Sequence, residues 1–454
     1  MTGVGTPARP SAVGGPGAAA GSTAAGPGST AAGETAPRRL RRWTGSPPGR
    51  LRVVSLVVTG LLIVLWAAAY VPAWERQTAL RRLTHGPGGG TAGALVAAQG
   101  LRADLAGADA AATRARLGGD GDEMARQRAA YQRLLVDAGG RIIVLARVPE
   151  GRDSGEHRAA VASALTVVAG QLARYGAEVA RAGVARSELM WGTILPAADR
   201  IVAAEQAEVD RDSGRADQGT ATMIIVGLVA VGALAASQVW LLRRTNRILN
   251  PALAAASILA AVATGWALVA FGLQHDRLAD GRDHGYRPLI ASSQARVLTA
   301  RVWTDDQRAL LDRPSASRLN ADSTAADARL RGGAHGGLLA EIGTPSVPGP
   351  GPRVSLSPLW ADYQGVAARV RQLVMGPGGL WTAAGLAQDD ATAAFERFDV
   401  RATAVDAASA ARFEDSLTSA AEVLDRLPVA LSVLLALAAV LTLAGFQVRI
   451  NDYR

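Results

Sequence analysis

Hydrophobic and polar positions alternate on two scales along this chain. On the longer scale, four stretches of about twenty residues carry no charge, the length a helix needs to cross hydrocarbon. They are 53–73, 221–242, 253–273 and 427–446. Helices in a water-soluble core seldom run so far without a charge, so all four are read as membrane spans. On the shorter scale, apolar residues recur at helical spacing in the two long segments between spans. Val161, Leu165, Val168, Leu172, Tyr175 and Val179 step 4-3-4-3-4, the seam of a helix packed on other helices. Leu101, Leu105, Ala108 and Ala112 form a second stripe, and Ile290, Ser293, Val297 and Ala300 a third that leads to Trp303. Val366, Val370 and Leu373 make a short stripe, and Phe413, Leu417 and Leu424 line one face near the fourth span.

Breakers set the connections. The first long segment, 74–220, is cut at 86–90 (GPGGG), 118–122 (GGDGD) and 149–155; the second, 274–426, is cut at 343–352 and 376–379. Asp122 and Glu123 read as an N-terminal cap, and Pro196 as the first turn of the helix that descends to the second span. Up-and-down connectivity with both ends at the membrane needs an even number of helices, and four is the natural count for 74–220. No Gly or Pro stands in 389–426, which allows about 55 Å of unbroken helix. Pro428 either kinks the junction with the last span or starts it. The expected fold is an all-α membrane protein: four transmembrane helices and two extracytoplasmic helical-bundle domains in a duplicated span–bundle–span plan. The duplication is one of topology, not of alignable sequence.

Charge then assigns sides. The chain carries a formal +9, and every basic side chain in it is arginine. Arg9, Arg38, Arg39, Arg41, Arg42, Arg50 and Arg52 precede the first span against Glu34 alone, and Arg243, Arg244 and Arg247 lie between the second and third. Arg449 and Arg454 follow the fourth, whereas the two long segments are nearly neutral. By the positive-inside rule the tail 1–50, the loop 243–252 and the tail 447–454 are cytoplasmic, and both long segments lie outside. The expected location is the plasma membrane, multi-pass, with both termini inside. A pI of 10.8 therefore speaks of orientation and contact with anionic membrane lipid, and no nucleic-acid partner is expected. The repeat GSTAAGPGSTAAG at 21–33 cannot bury a core, so 1–37 reads as disordered. The apolar run at 53–73 is too long for a secretory leader, and is read as an uncleaved anchor.

Candidate chemistry is sparse. With no cysteine and no lysine, thiolate nucleophiles, Cys-ligated metals, Schiff bases and P-loop lysines are excluded. None of the five histidines pairs with another at i, i+4, and they read as isolated and exposed. Asp305–Asp306 and Asp389–Asp390 are adjacent and diverge by about 100° on a helix, so they are expected to start turns or face water. No catalytic residue, cofactor or metal site is expected. The spans hold no ionisable residue, which argues against transport, and their alanine-rich faces suit a compact, dimerising bundle that transmits a shape change. Trp43, Trp66, Trp74 and Trp240 read as interfacial or lipid-facing. Trp191 and Trp303 lie outside the bilayer and are candidates for docking an outer partner, with core packing an equal alternative. The inner segments are too short to fold a kinase or cyclase, so a signal must pass to a separate protein. Arg243, Arg244, Arg247, Arg449 and Arg454 are the candidates for that contact; charge topology is the plainer explanation of each.

Four short motifs carry a resemblance: ADAAA at 108–112, ILPAAD at 194–199, ARFED at 411–415 and RINDYR at 449–454. They are similar to a GlnX-type family of membrane proteins from high-GC Gram-positive bacteria, over roughly 50–454. The resemblance implies a relay in which a glutamate/aspartate-binding lipoprotein is sensed outside and a soluble PknG-type Ser/Thr kinase is informed inside. It brings no catalytic residues. The first long segment also resembles, by architecture, the four-helix sensor modules of chemoreceptors and histidine kinases. The expected function is a non-enzymatic transmembrane signal relay. The alternatives are a direct chemosensor with a small-molecule site in the first outer bundle, and a membrane scaffold or transporter accessory.

Overall fold

The computed structural model describes residues 47–85, 90–117, 121–147, 155–182, 187–217, 220–245, 251–311, 315–332, 337–343, 355–375 and 379–451. Of the described residues, 54–451 form one compact unit, and 47–53, which are helical, belong to another. The expected disordered tail 1–37 and the tip of the C-terminal tail lie outside the described residues. Those described are 98% helical, with no strand among them.

The helices are α1 (Pro47–Thr84), α2 (Gly90–Leu117), α3 (Gly121–Ala146) and α4 (Gly155–Ala182). A turn at Ser187–Leu189 and a π-helical turn at Met190–Ile194 run into α5 (Leu195–Asp217), which is followed by α6 (Thr220–Thr245) and α7 (Pro251–Gly281). A second π turn, Arg282–Tyr286, joins α7 to α8 (Arg287–Leu311), and α9 (Ala316–Arg331), α10 (Leu338–Gly343) and α11 (Ser357–Met375) follow. Then come α12 (Leu380–Leu386), a π turn at Ala387–Ala391, α13 (Thr392–Asp425) and α14 (Leu427–Asn451).

Three helical stretches among the described residues are long and apolar enough to cross a membrane: Val53–Thr84, Pro251–Leu310 and Trp381–Val448. The last two run 60 and 68 residues. At 1.5 Å per residue they reach about 90 and 100 Å, three times a hydrocarbon core, so each combines a span with a long rod. The second expected span is helical as part of α6, but its described apolar run, Ile225–Val239, is shorter than a crossing. Where α7 meets α6, α13 and α14, its inward face is alanine: Ala256, Ala260, Ala263 and Ala267 are buried. Ile258, Val262, Trp266 and Val269 point outward and are exposed. Small residues inside and bulky apolar ones outside is the arrangement lipid favours, because packing between spans rests on close approach.

Proline shapes the rods. Pro196 lies in the first turn of α5, as the sequence predicts, but the helix does not begin there. Leu195 donates its N–H to the Met190 carbonyl, five residues back, just before the proline that has no N–H to give. Arg287 does the same to Arg282 immediately before Pro288. Pro428 sits in the first turn of α14, where its missing donor costs nothing.

The turn into α2 depends on Gly90. Its φ is +69°, and a Cβ there would stand 2.5 Å from the Arg82 carbonyl oxygen and 2.6 Å from that of Leu83. Both the dihedral and the space require glycine.

The predicted stripes are buried: Leu101, Leu105, Val161, Leu165, Val168, Val297, Phe413 and Leu417 all lie inside. What they pack against differs from a pair of separate bundles. α2 packs on α3 and α5, α5 on α4, and α2 also packs on α8 from the second long segment. One continuous apolar core therefore draws on both segments, from Ala94 and Val202 in the first to Trp303 and Phe398 in the second.

Candidate functional site

The face between α2 and α8 is mostly apolar, and polar contacts join the two long segments beside it. Near its base, Ser293 Oγ on α8 donates to Gln99 Oε1 on α2 at 2.8 Å. Further along, Arg114 of α2 lies over the rings of Trp303 (4.8 Å) and Phe395 (5.0 Å) and pairs with Glu396 at 3.2 Å. In the opposite direction, Arg301 of α8 lies 5.4 Å over the ring of Trp191, and pairs with Asp305 (3.6 Å) and Asp322 (3.8 Å). Each segment thus gives the other an arginine and receives it on a tryptophan. Such cation–π contacts are worth about 0.5–1 kcal/mol where the cation is partly exposed, as Arg301 is, and up to about 2 kcal/mol where it is desolvated, as Arg114 is. Burial holds the Arg114 guanidinium below its ordinary value, and the Glu396 carboxylate offsets part of that shift.

Behind Trp191 lies a buried carboxylate. Asp109, fully enclosed, accepts from the Tyr175 hydroxyl at 2.8 Å and from Trp191 Nε1 at 3.0 Å. Burial, and then the charge of Asp109, push the Tyr175 phenol well above its ordinary value, and Tyr131 moves the same way for the same reasons. Both therefore stay protonated at physiological pH, and Tyr175 remains a donor. A polar thread runs from Tyr175 through Asp109, Trp191 and Arg301 to Asp305.

The two candidate docking tryptophans are thus brought together at one junction. Trp303 is only 1% exposed and packs on Phe395 within a cluster that includes Trp360, Tyr363 and Phe398. It is a core residue and is removed from any docking surface. Trp191 is half-buried and turned inward by Asp109. Of the five candidate partner arginines, Arg243 is exposed in the last turn of α6, Arg244 follows it, and Arg449 lies in the last turn of α14. Arg247 and Arg454 lie outside the described residues.

Two other expectations change. Asp305 and Asp306 do not start a turn; they lie within α8, Asp305 buried with Oδ2 3.6 Å from Arg301, and Asp306 half-buried and hydrogen-bonded by Tyr363, Ser323 and Arg371. Asp389 and Asp390 do sit exposed in a turn. His157 is not exposed: it is enclosed between α4 and α5, its Nε2 3.4 Å from Glu205 and its Nδ1 4.0 Å from Glu208. Arg211 and Glu208 pair beside it.

Sequence reasoning missed Asp109, Arg114, Arg301 and Arg76. Asp109 carries a signal, since it stands four residues after Leu105 on an inward stripe, where a charge is costly unless satisfied. Arg76 is 2% exposed, donates to Gln274 at 3.3 Å and lies 4.1 Å over the Phe271 ring, tying α1 to α7 where both leave their apolar stretches.

Asp104 yields a pH test. Burial pushes its carboxyl above the ordinary 3.8, and Arg141, paired with it at 2.6 Å, pulls it part of the way back. Arg296 adds to that pull, and Asp137 opposes it. The folded chain therefore holds this proton at higher pH than the unfolded one. The stability it contributes is complete below 3.8 and is lost as pH rises through the folded value. Between about pH 4 and neutrality, the thermal midpoint of Asp104→Asn should fall less with pH than that of the wild type; parallel slopes would show that burial of Asp104 has no such effect.

With this geometry in view, comparison with known proteins is informative on one segment. The family described as the actinobacterial sensor domain matches residues 88–214. Those residues are α2 to α5, the part that holds Asp109, Trp191 and Arg114. No curated protein and no solved structure matches the chain. The sensor-like segment and three long apolar helices together mark a membrane protein with a sensing role.

Proposed function

We propose that this protein is a non-enzymatic transmembrane signal relay. One observation carries the reading: the segment similar to a sensor domain is locked, through Arg114 and Arg301, onto α8. That helix continues a rod whose first part, α7, is apolar enough to cross a membrane. A shape change among α2 to α5 then has a stiff path inward. In this reading α6 supplies a fourth span, the plan is duplicated, and both termini and the 243–252 loop are cytoplasmic. The outer input is a glutamate/aspartate-binding lipoprotein and the inner output a PknG-type Ser/Thr kinase. Arg243, Arg244, Arg247, Arg449 and Arg454 form the inner contact.

Crosslinking in intact cells followed by mass spectrometry tests this directly. The lipoprotein should be held by residues 74–220 or 274–426, and the kinase by the arginine-bearing loop and tail. Recovery of neither overturns the relay. Replacing Arg243, Arg244 and Arg247 together with glutamine should lower kinase coupling while membrane insertion is kept. Equal loss of both would reduce those arginines to topology signals.

A further inference from the structure

We propose that the second long segment carries a ligand site of its own, for a small amphipathic carboxylate. The site is a cavity of about 280 Å³ enclosed by α8, α9, α11 and the π turn Ala387–Ala391, outside the residues that resemble a sensor domain. Leu310, Val370 and Val374 form its apolar walls, and alanines at 316, 367 and 387 leave the space that larger side chains would fill. A liquid water occupies about 30 Å³, so the volume suits a molecule of roughly nine heavy atoms.

The polar end decides the ligand class. Asp306 accepts from the Tyr363 hydroxyl (2.9 Å), Ser323 Oγ (3.0 Å) and Arg371 Nη1 (3.1 Å), and its side chain is only 10% exposed. Its acceptor capacity is largely spent. Arg371 Nη1 makes that hydrogen bond, its side chain is 39% exposed, and its Nε and Nη2 make none among the described residues. The side-chain amide of Asn320, also in the lining, has no hydrogen bond among the described residues. Asn320 and Gln307 offer amide groups that can donate or accept, so the charge at this end is set by Arg371, whose planar guanidinium matches a carboxylate fork. An ammonium ligand would meet the wrong partner at this end. A carboxylate on Arg371 and the Asn320 amide N–H, with an apolar body along Leu310, Val370 and Val374, fits this lining. Asp305, the neighbour of Asp306, pairs with the Arg301 that lies over Trp191, so the cavity adjoins the junction with the first segment.

The test uses the full chain in lipid nanodiscs with hexanoate as probe, read by saturation-transfer NMR and thermal shift, and hexylammonium as the charge-reversed control. Two variants are compared. Arg371→Gln removes the charge, and Ala316→Phe fills the cavity without touching the Asp306 network. Hexanoate should bind the wild type and lose roughly tenfold or more in affinity in both variants, with hexylammonium unable to displace it. The proposal is overturned by transfer no greater than that of empty nanodiscs, by unchanged affinity in either variant, or by displacement with hexylammonium at equal concentration. The site does not rest on the relay. Binding is read on the chain alone, so failure of one reading leaves the other standing.

Discussion

Replacing Trp303 with alanine should lower the stability of the full-length protein in mild detergent by about 3–5 kcal/mol, the range for deleting a fully enclosed tryptophan. The site cannot collapse into the gap, because Trp303 is wedged between Phe395 and the Arg114 guanidinium, and both belong to long helices fixed elsewhere. Deletion also strips Arg114 of one of its two aromatic supports while it remains largely buried beside Glu396. Trp303→Phe is the informative companion. It keeps a ring under the guanidinium and removes an indole N–H that has no hydrogen-bond partner among the described residues. Its cost should be less than half that of the alanine variant. Urea titration followed by far-UV circular dichroism checks both; a loss under about 1 kcal/mol for alanine would mean that Trp303 is not enclosed as described.

Gly285→Val should be the second large effect. A Cβ at 285 would stand 2.8 Å from both the backbone nitrogen and Cα of Phe413, and 2.9 Å from its Cβ. Backbone cannot step aside as a flexible side-chain end can, so the rod at 285 and α13 must separate. Overpacking of this kind costs about 1–3 kcal/mol, and the upper end is expected because Tyr286 packs tilted against Phe413, with ring centroids 5.4 Å apart, next to the collision. Gly170→Ala is the control. Nothing lies within 4 Å of its added methyl, and alanine is the better helix former, so stability should rise by about 0.5–1 kcal/mol. Thermal unfolding of the two variants separates crowding from helix propensity. A thermal midpoint for Gly285→Val equal to the wild type would remove the close approach from the account.

Helical periodicity made most of the inward faces legible. The stripe at Val161, Leu165 and Val168 is buried where spacing puts it, as is the one at Phe413 and Leu417. Periodicity says which side of a helix is covered, not by what. That is why the two long segments read as separate bundles, although α2 and α8 share one core. The same gap explains Trp303, since an aromatic outside the bilayer satisfies docking and core packing equally until its neighbours are known. Buried ionic groups were the least legible. Asp306 and His157 look like surface residues in sequence, because the groups that face them are distant in the chain: Arg371 and Tyr363 for the first, Glu205 and Glu208 for the second.

The π turns at Met190–Ile194 and Arg282–Tyr286 have a geometric consequence. Each inserts one residue into a helical turn, which offsets the azimuth of everything beyond it by about 100° relative to an unbroken helix. The rod from 251 to 310 therefore has two phases, one set by its alanine face toward α14 and another by its contacts with α2. The side chains that this rod presents to α2 are thus ones that an unbroken helix would carry about a quarter circle away, so losing the extra residue would bring a different face to that contact.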